Sequence, residues 1–393
     1  MLSTSDFPRR EGAARQKKYI MNMLKYKSYI AKGTMGIVLC TLFVACSGDD
    51  LGQYAQRADN ANEIVFLPKT ENVTRANYSL DNPHPATMGV FGFFDLDANH
   101  VTKPDFTIFK NKQVNYSKDQ DGTSYWTYSP VRYWPEYSSA NDFDFFGYMP
   151  YVQGTTAATL TYYDKGYTLS FDATLSVANI KEGTDLPLIC NQPHHKDAPG
   201  EIVNFDMDQT TTGFQLKFKL GTKMSNVRDF EITKVQVTGQ IPYKGRVSRT
   251  YICDDDGNWV LDPQLLGKKH DIKWSNVTTQ QMALTIANEG GNLTLSDDEF
   301  HEWGKPFFAI PVESFAPAIT VTYNVRVADS EKKTITREGV TKSIVFNENN
   351  FANLKKTGGL KPGKLNSLEI AIVPDHLYIL ADDDQYIGYL EIE

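Results

Sequence analysis

The sequence predicts an all-β protein, and three observations predict it. Aromatic residues are abundant, with 22 Phe, 21 Tyr and 5 Trp among 393 residues, beside 27 Gly and 18 Pro. Aromatic and β-branched side chains suit a pleated surface, and Gly and Pro supply its turns. Several segments alternate apolar and polar residues, as a strand with one buried face must. Helical signal is scarce: Ser296-Asp297-Asp298-Glu299 ahead of Phe300 has the form of a capping box and predicts one short helix.

The chain opens on a leader, residues 1–45. Lys25, Lys27 and Lys32 precede an apolar run from Thr34 to Ala45, the order of a secretory signal. That run is about 12 residues long, against the ~20 that a spanning helix needs, so it predicts a cleaved leader rather than an anchor. Met21 and Met23 are alternative starts. Phe43-Val44-Ala45-Cys46 resembles the lipobox of bacterial lipoproteins, which makes Cys46 the lipid acceptor and first mature residue. The acidic Ser47-Gly48-Asp49-Asp50 resembles the signal that sends such lipoproteins to the outer face of the outer membrane.

Residues 51–62 read as a polar tether. Glu63 to Leu67 is a continuous run ended by Pro68, which predicts a short strand buried on both faces. Strands are then predicted at 87–94, 106–110, 125–128, 143–149, 158–163 and 167–171. The stretch from His194 to Gly200, rich in His and Pro, marks a boundary near Ala198 between an N-terminal domain, 76–198, and a C-terminal domain, 199–393. In the latter, Phe214 to Leu220 and Ile319 to Val327 alternate strictly. The apolar parity switches between Phe230/Ile232 and Val235/Val237, which predicts a bulge near Thr233-Lys234. Two last strands, Leu377 to Leu380 and Ile387 to Ile392, flank a turn at Asp382–Asp384. No period of 20 to 50 residues is visible, which argues against a solenoid or propeller.

A net charge of −8 without a basic stripe argues against a nucleic-acid binder, which must neutralise phosphates. The chain has no G-x-S-x-G, H-E-x-x-H, Walker loop or G-x-G-x-x-G, so no catalytic residue, cofactor or metal site is predicted, and the reading is that of a non-enzyme. His194 and His195 are adjacent and would face opposite sides of a strand, so they are read as loop residues rather than a ligand pair. Asp254 to Asn258 lacks the spaced ligands of a calcium loop and is read as a hairpin turn. Cys190 and Cys253 are read as two buried thiols, a disulfide being the alternative. The most distinctive text is Trp126-Thr127-Tyr128-Ser129-Pro130-Val131-Arg132-Tyr133-Trp134-Pro135. Its rings can form core or stack on sugars, and core is the stronger reading.

That segment, with Phe143-Asp144-Phe145-Phe146-Gly147-Tyr148-Met149-Pro150 after it, resembles the W-x-Y-x-P-x-R-Y-W-P … F-F-A-Y-x-P signature of the fimbrillin-like proteins, subunits of type V pili. Other features of that family stand in order: Cys46, Thr74-Arg75-Ala76, Val90-Phe91-Gly92, Asp185-Leu186 and Leu360-Lys361-Pro362-Gly363-Lys364. The motif aromatics matched are Trp126, Tyr128, Tyr133 and Trp134. The resemblance implies two transthyretin-like β-sandwich domains of about seven strands each. It further implies a surface-exposed fimbrial subunit at the outer membrane, lipidated at Cys46 before maturation, which assembles with copies of itself or related pilins. A protease would cut between Arg75 and Ala76, freeing residues 46–75 with their strand at Glu63–Leu67. The opened groove would then take a donor strand from residues 376–393, with Leu377, Ile379, Leu390 and Ile392 as its apolar face.

Alternatives stay open at this point. Arg75 can be an exposed loop arginine with no role, and the last two strands an ordinary final hairpin. The rival function is a permanently anchored surface lipoprotein that holds glycan on Trp126, Tyr133 and Trp134; an unrecognised hydrolase is the third reading.

Overall fold

The structure is a computed structural model that describes residues 62–69, 85–95, 106–134, 142–163, 166–196, 202–223, 225, 228–253, 259–261, 272–313, 315–327, 335–345, 360–373, 376–380 and 387–391. The described residues all lie in the compact unit Asp50–Glu393. Chain order gives β1 (Phe66–Lys69), β2 (Thr87–Asp95), β3 (Phe106–Lys118), β4 (Ser124–Thr127), β5 (Asp142–Met149), β6 (Ala158–Tyr163) and β7 (Gly166–Thr174). The helix α1 (Val177–Glu182) precedes β8 (Leu188–Cys190), β9 (His194–Lys196), β10 (Val203–Gln209), β11 (Thr212–Leu220) and β12 (Arg228–Cys253). Then follow β13 (Trp259–Leu261), β14 (Lys273–Ile286), β15 (Leu293–Thr294), β16 (His301–Ala309), β17 (Ala318–Val327) and β18 (Ile335–Val345). The described chain closes with β19 (Leu365–Ile372), β20 (His376–Leu380) and β21 (Ile387–Glu391).

The protein is therefore nearly all β, as the composition and alternation predict. One sheet runs β1-β10-β8-β5-β2-β3-β4, with β9 also on β5; a second runs β16-β11-β19; a third runs β18-β17-β12-β7-β6, with β13, β14 and β15 also on β12; β20 and β21 form a fourth. Sheets pack face to face as in a sandwich. Tyr148 on β5 stacks on Phe171 of β7 at 4.5 Å, and Phe146 on β5 meets Tyr251 of β12 at 5.4 Å. Such ring pairs add to the burial of their area.

Two hydrophobic clusters form, and β12 serves both. Phe230, Ile232, Val235, Val237 and Ile241 belong to one, and Val247 and Tyr251 to the other. Residues 235–238 are paired with β17 on one flank and β14 on the other, whereas residues 244–248 are paired with β7 and β14. The strand can change partners because its register slips between Pro242 and Lys244 and again between Lys244 and Arg246, and each such slip bends a strand. The predicted bulge near Thr233 is present, as a register shift between Ile232 and Lys234.

Three local expectations are corrected. Ser296 Oγ accepts from the backbone N–H of Asp298 and Glu299, but no helix follows, because the chain enters β16 at His301 and is laddered to β11 there. The helix forms instead at Val177–Glu182, capped by Ser176 and Asn179 and closed by Gly183 at φ 70°. Its signal was weaker because Asn stands where the usual box has Glu or Gln. His194 and His195 lie on a strand, opposite Phe145 and Asp144 of β5, rather than in a loop. The first strand does not span Glu63–Leu67 but begins at Phe66 and runs through Pro68 to Lys69, with Glu63 upstream of it in an isolated bridge to Tyr133.

Candidate functional site

The segment 62–69 is seated between two stretches of chain distant in sequence. On one flank β1 lies parallel to β10, pairing Phe66 with Val203, Leu67 with Asn204, Pro68 with Phe205 and Lys69 with Asp206. Val203 donates its N–H to the Val65 carbonyl at 2.8 Å. On the other flank the chain around Ile64 meets the end of the aromatic motif. Ile64 donates to the Arg132 carbonyl at 3.1 Å, and Trp134 donates to the Asn62 carbonyl at 2.7 Å. Glu63 and Tyr133 form an antiparallel bridge. Residues 62–69 thus close a gap between β10 and the 132–134 stretch, with β1 as the end strand of its sheet. Pro68 sits on that end strand, where a missing N–H discourages further pairing.

The seat is built from rings. Phe66 lies 5.4 Å from Phe109, 5.5 Å from Tyr128, 6.1 Å from Phe145 and 6.1 Å from Phe205, the last nearly coplanar at 11°. Ile64 and Phe66 are fully buried and Leu67 nearly so, so successive residues are buried on both faces, as the continuous apolar run predicts. At ~1.5–3 kcal/mol for each buried side chain of this size, the segment contributes on the order of 5 kcal/mol, a large share of the ~5–15 kcal/mol that separates a folded domain from its unfolded chain. Gly92 makes room for two of these rings. A methyl group there would lie 2.7 Å from Phe145 and 3.0 Å from Phe109.

Tyr128 clasps both flanks. Its hydroxyl donates to the Ile64 carbonyl at 2.8 Å and lies 3.2 Å from the Arg132 carbonyl, while the Arg132 N–H donates to it at 3.3 Å. Burial holds this phenol well above the usual tyrosine range, so it stays a neutral donor. Trp134 packs edge-on against Phe143 and Phe145 at 5.1 and 5.7 Å. Its Nε1–H is buried without a hydrogen-bond partner.

The four aromatics of the Trp126–Pro135 motif singled out in the sequence therefore divide. Trp126, Tyr128 and Trp134 are buried, whereas Tyr133 is 53% exposed. The core reading holds for three of them, and only Tyr133 of the proposed sugar platform faces solvent. A cleft of about 630 Å³ is lined by Phe93, Phe109, Lys110, Tyr151, Gln153 and Leu160 among others, sharing Phe109 with the seat of Phe66, and none of Trp126, Tyr133 and Trp134 lines it.

Cys46, Arg75, Ala76 and Ile392 lie outside the described residues, as do Asp254 to Asn258. Leu377, Ile379 and Leu390 lie on the C-terminal hairpin, where Leu377 is opposite Leu390 and Ile379 opposite Gly388. Among the described residues that hairpin pairs with no other strand. Cys190 is a free, buried thiol. Its Sγ takes the Gly147 N–H at 3.4 Å and lies 3.2 Å from the Tyr251 hydroxyl, and burial pushes its pKa up. Beside it Arg249, nearly buried, donates to the Cys190 carbonyl at 2.9 Å and pairs with Asp208 at 2.8 Å, tying β8 and β10 to β12. Among the described residues, no group of three or more His, Cys, Asp or Glu is placed to hold a metal ion, and no helix is long and apolar enough to cross a membrane.

Sequence reasoning missed β10, the parallel partner of β1. Its alternation was there to read, in Val203, Phe205 and Met207, all buried.

No protein-family profile matches the chain, and neither does any curated protein. Solved structures do resemble it. A fimbrial protein from Bacteroides vulgatus aligns with 79% of this chain and 95% of its own, at 17% identity and a TM-score of 0.44. A candidate cell adhesion protein from Bacteroides uniformis aligns with 79% of this chain and 93% of its own, at 12% identity and a TM-score of 0.37. A candidate adhesin from Bacteroides ovatus aligns with 84% of this chain and 95% of its own, at 12% identity and a TM-score of 0.30.

Proposed function

We propose that this chain is a structural subunit of surface fimbriae that serves adhesion. In this reading it is exported as a lipoprotein through Cys46, cut between Arg75 and Ala76 at the outer membrane, and polymerised by donor-strand exchange. The observation that carries the reading is the seat of residues 62–69. It is a short stretch upstream of Arg75, buried through Ile64, Phe66 and Leu67, and held by backbone bonds to β10 on one side and to residues 132–134 on the other. Removing it would leave an open apolar groove and two unpaired backbone edges, which a strand from another copy satisfies together.

The size of that burial sets the order of events. A segment worth several kcal/mol does not leave its seat merely because the chain after it is cut. The cut removes its tether and hence its high effective concentration, and a competing strand can then displace it. The C-terminal hairpin suits the part of competitor, because an isolated two-stranded hairpin is marginal in water and gains by joining a larger sheet.

The test is to treat the chain from Ser47 onward with a limiting dose of an arginine-specific protease and to follow intact mass and size exclusion. Loss of the segment ending at Arg75, with growth of ladders that resist mild denaturant and vanish on deletion from His376 onward, is the expected result. A chain that stays uncut at Arg75, or is cut there and remains monomeric, would overturn polymerisation by this route.

A further inference from the structure

Two stretches of this chain spell Ile-x-aromatic-Leu: Ile64-Val65-Phe66-Leu67 and Ile387-Gly388-Tyr389-Leu390. The pattern occurs nowhere else in the sequence. Ile344-Val345-Phe346 comes near it, but Asn347 follows, and its first two residues belong to β18, which is already laddered to β17. Resting on the exchange reading above, we infer that Ile387–Leu390 of a second copy takes the seat of Ile64–Leu67, residue for residue and in the same direction, with Tyr389 in the ring pocket of Phe66.

Each position of the seat has its own demand. The place of Ile64 is fully buried and needs an apolar side chain, with a carbonyl presented to the Tyr128 hydroxyl. The place of Val65 is half-buried and contributes its carbonyl to Val203, so glycine suffices. Four rings surround the place of Phe66, which calls for an aromatic side chain. The place of Leu67 is buried and apolar. Residues 387–390 meet all four demands in order.

Other placements of the hairpin fail. Setting Tyr378 in the ring pocket puts His376 in the buried place of Ile64, and setting Tyr386 there puts Asp384 in it; burying either polar group without a partner is costly. Setting Leu377 in the place of Ile64 puts Ile379, which has no ring, among the four rings. The likeness ends after Leu390: Glu391 would fall at the buried place of Pro68, so the donor must leave the seat there, and the match extends over four residues and no further.

Disulfide trapping tests the register. Leu67 is opposite Asn204 across the β1–β10 ladder. One preparation of the chain from Ser47 onward carries Leu390→Cys and another Asn204→Cys, each with Cys253→Ser; both are cut with the arginine-specific protease, mixed and oxidised. A disulfide-linked dimer is expected, and none when Ile379→Cys replaces Leu390→Cys. In ladder assays without engineered cysteines, Tyr389→Ala should lower the yield about tenfold or more, while Tyr378→Ala leaves it unchanged. Ladders that trap through Ile379, or that are indifferent to Tyr389→Ala, would overturn this register and leave strand exchange standing. Failure of the unsubstituted cut chain to form ladders would take down both.

Discussion

The hydroxyl of Tyr128 donates a 2.8 Å hydrogen bond to the carbonyl of Ile64, across 64 residues of sequence. The same hydroxyl meets the backbone of Arg132, so one side chain of the aromatic motif holds both the segment and the edge beside it. The fit of residues 62–69 therefore depends on a polar contact as well as on packing, and the two can be separated by substitution.

Tyr128→Phe keeps the ring and removes the clasp. A buried carbonyl left without its partner costs about 1–3 kcal/mol, so the urea midpoint should fall by that free energy divided by the slope, with the slope itself unchanged. An unchanged midpoint would mean that the hydroxyl is dispensable and that ring packing alone holds the segment.

Phe66→Ala removes the ring itself. Truncating a fully buried phenylalanine costs about 3–5 kcal/mol, more than loss of the hydroxyl, and the same unfolding measurement ranks the two. The order Phe66→Ala worse than Tyr128→Phe is the expectation; the reverse order would mean that the ring pocket relaxes around the gap.

Gly92→Ala places a methyl group within 3.0 Å of both Phe145 and Phe109. Overpacking of this kind costs about 1–3 kcal/mol, and here it displaces two rings that line the Phe66 pocket. Beyond a lower midpoint, the variant should lose residues 62–69 to nonspecific protease faster than the parent chain does.

Stability should fall at alkaline pH. Burial raises the pKa of Cys190, Tyr128 and Tyr148 in the folded state, so the folded chain keeps protons that the unfolded chain releases above about 8.5 for thiols and about 10 for phenols. The sign follows from linkage: these groups' contribution is complete below those values and is lost progressively as pH rises past them. Chemical denaturation between pH 7 and 11 should show the decline, and Tyr128→Phe with Tyr148→Phe should flatten its upper part.

Much of this was legible in the sequence, and the gaps have physical reasons. The run from Glu63 to Leu67 announced a buried strand because neighbours on opposite faces are both apolar, and the parity switch around Thr233 announced the bulge. The alternation that marks β10 as a strand was legible, but its pairing with the first strand was not, because a long-range parallel register leaves no mark at either site. The aromatic motif gave core residues at Trp126, Tyr128 and Trp134 but hid the exposure of Tyr133, whose backbone bridges Glu63. At Ser296 the local cap was right and the helix was not, since the ladder of β16 on β11 outweighs one satisfied N-terminus. At Ser176 the reverse holds, and Asn179 completes a cap that the usual pattern omits.

The most direct measurement is hydrogen exchange at β10, read by mass spectrometry before and after cleavage at Arg75. Val203 donates to Val65, so the account predicts slow exchange of residues 203–206 in the uncut chain, faster exchange in any cut monomer that has lost its segment, and slow exchange again in ladders. Protection of β10 that never changes, while ladders form, would mean that residues 62–69 keep their seat and that assembly proceeds by another surface.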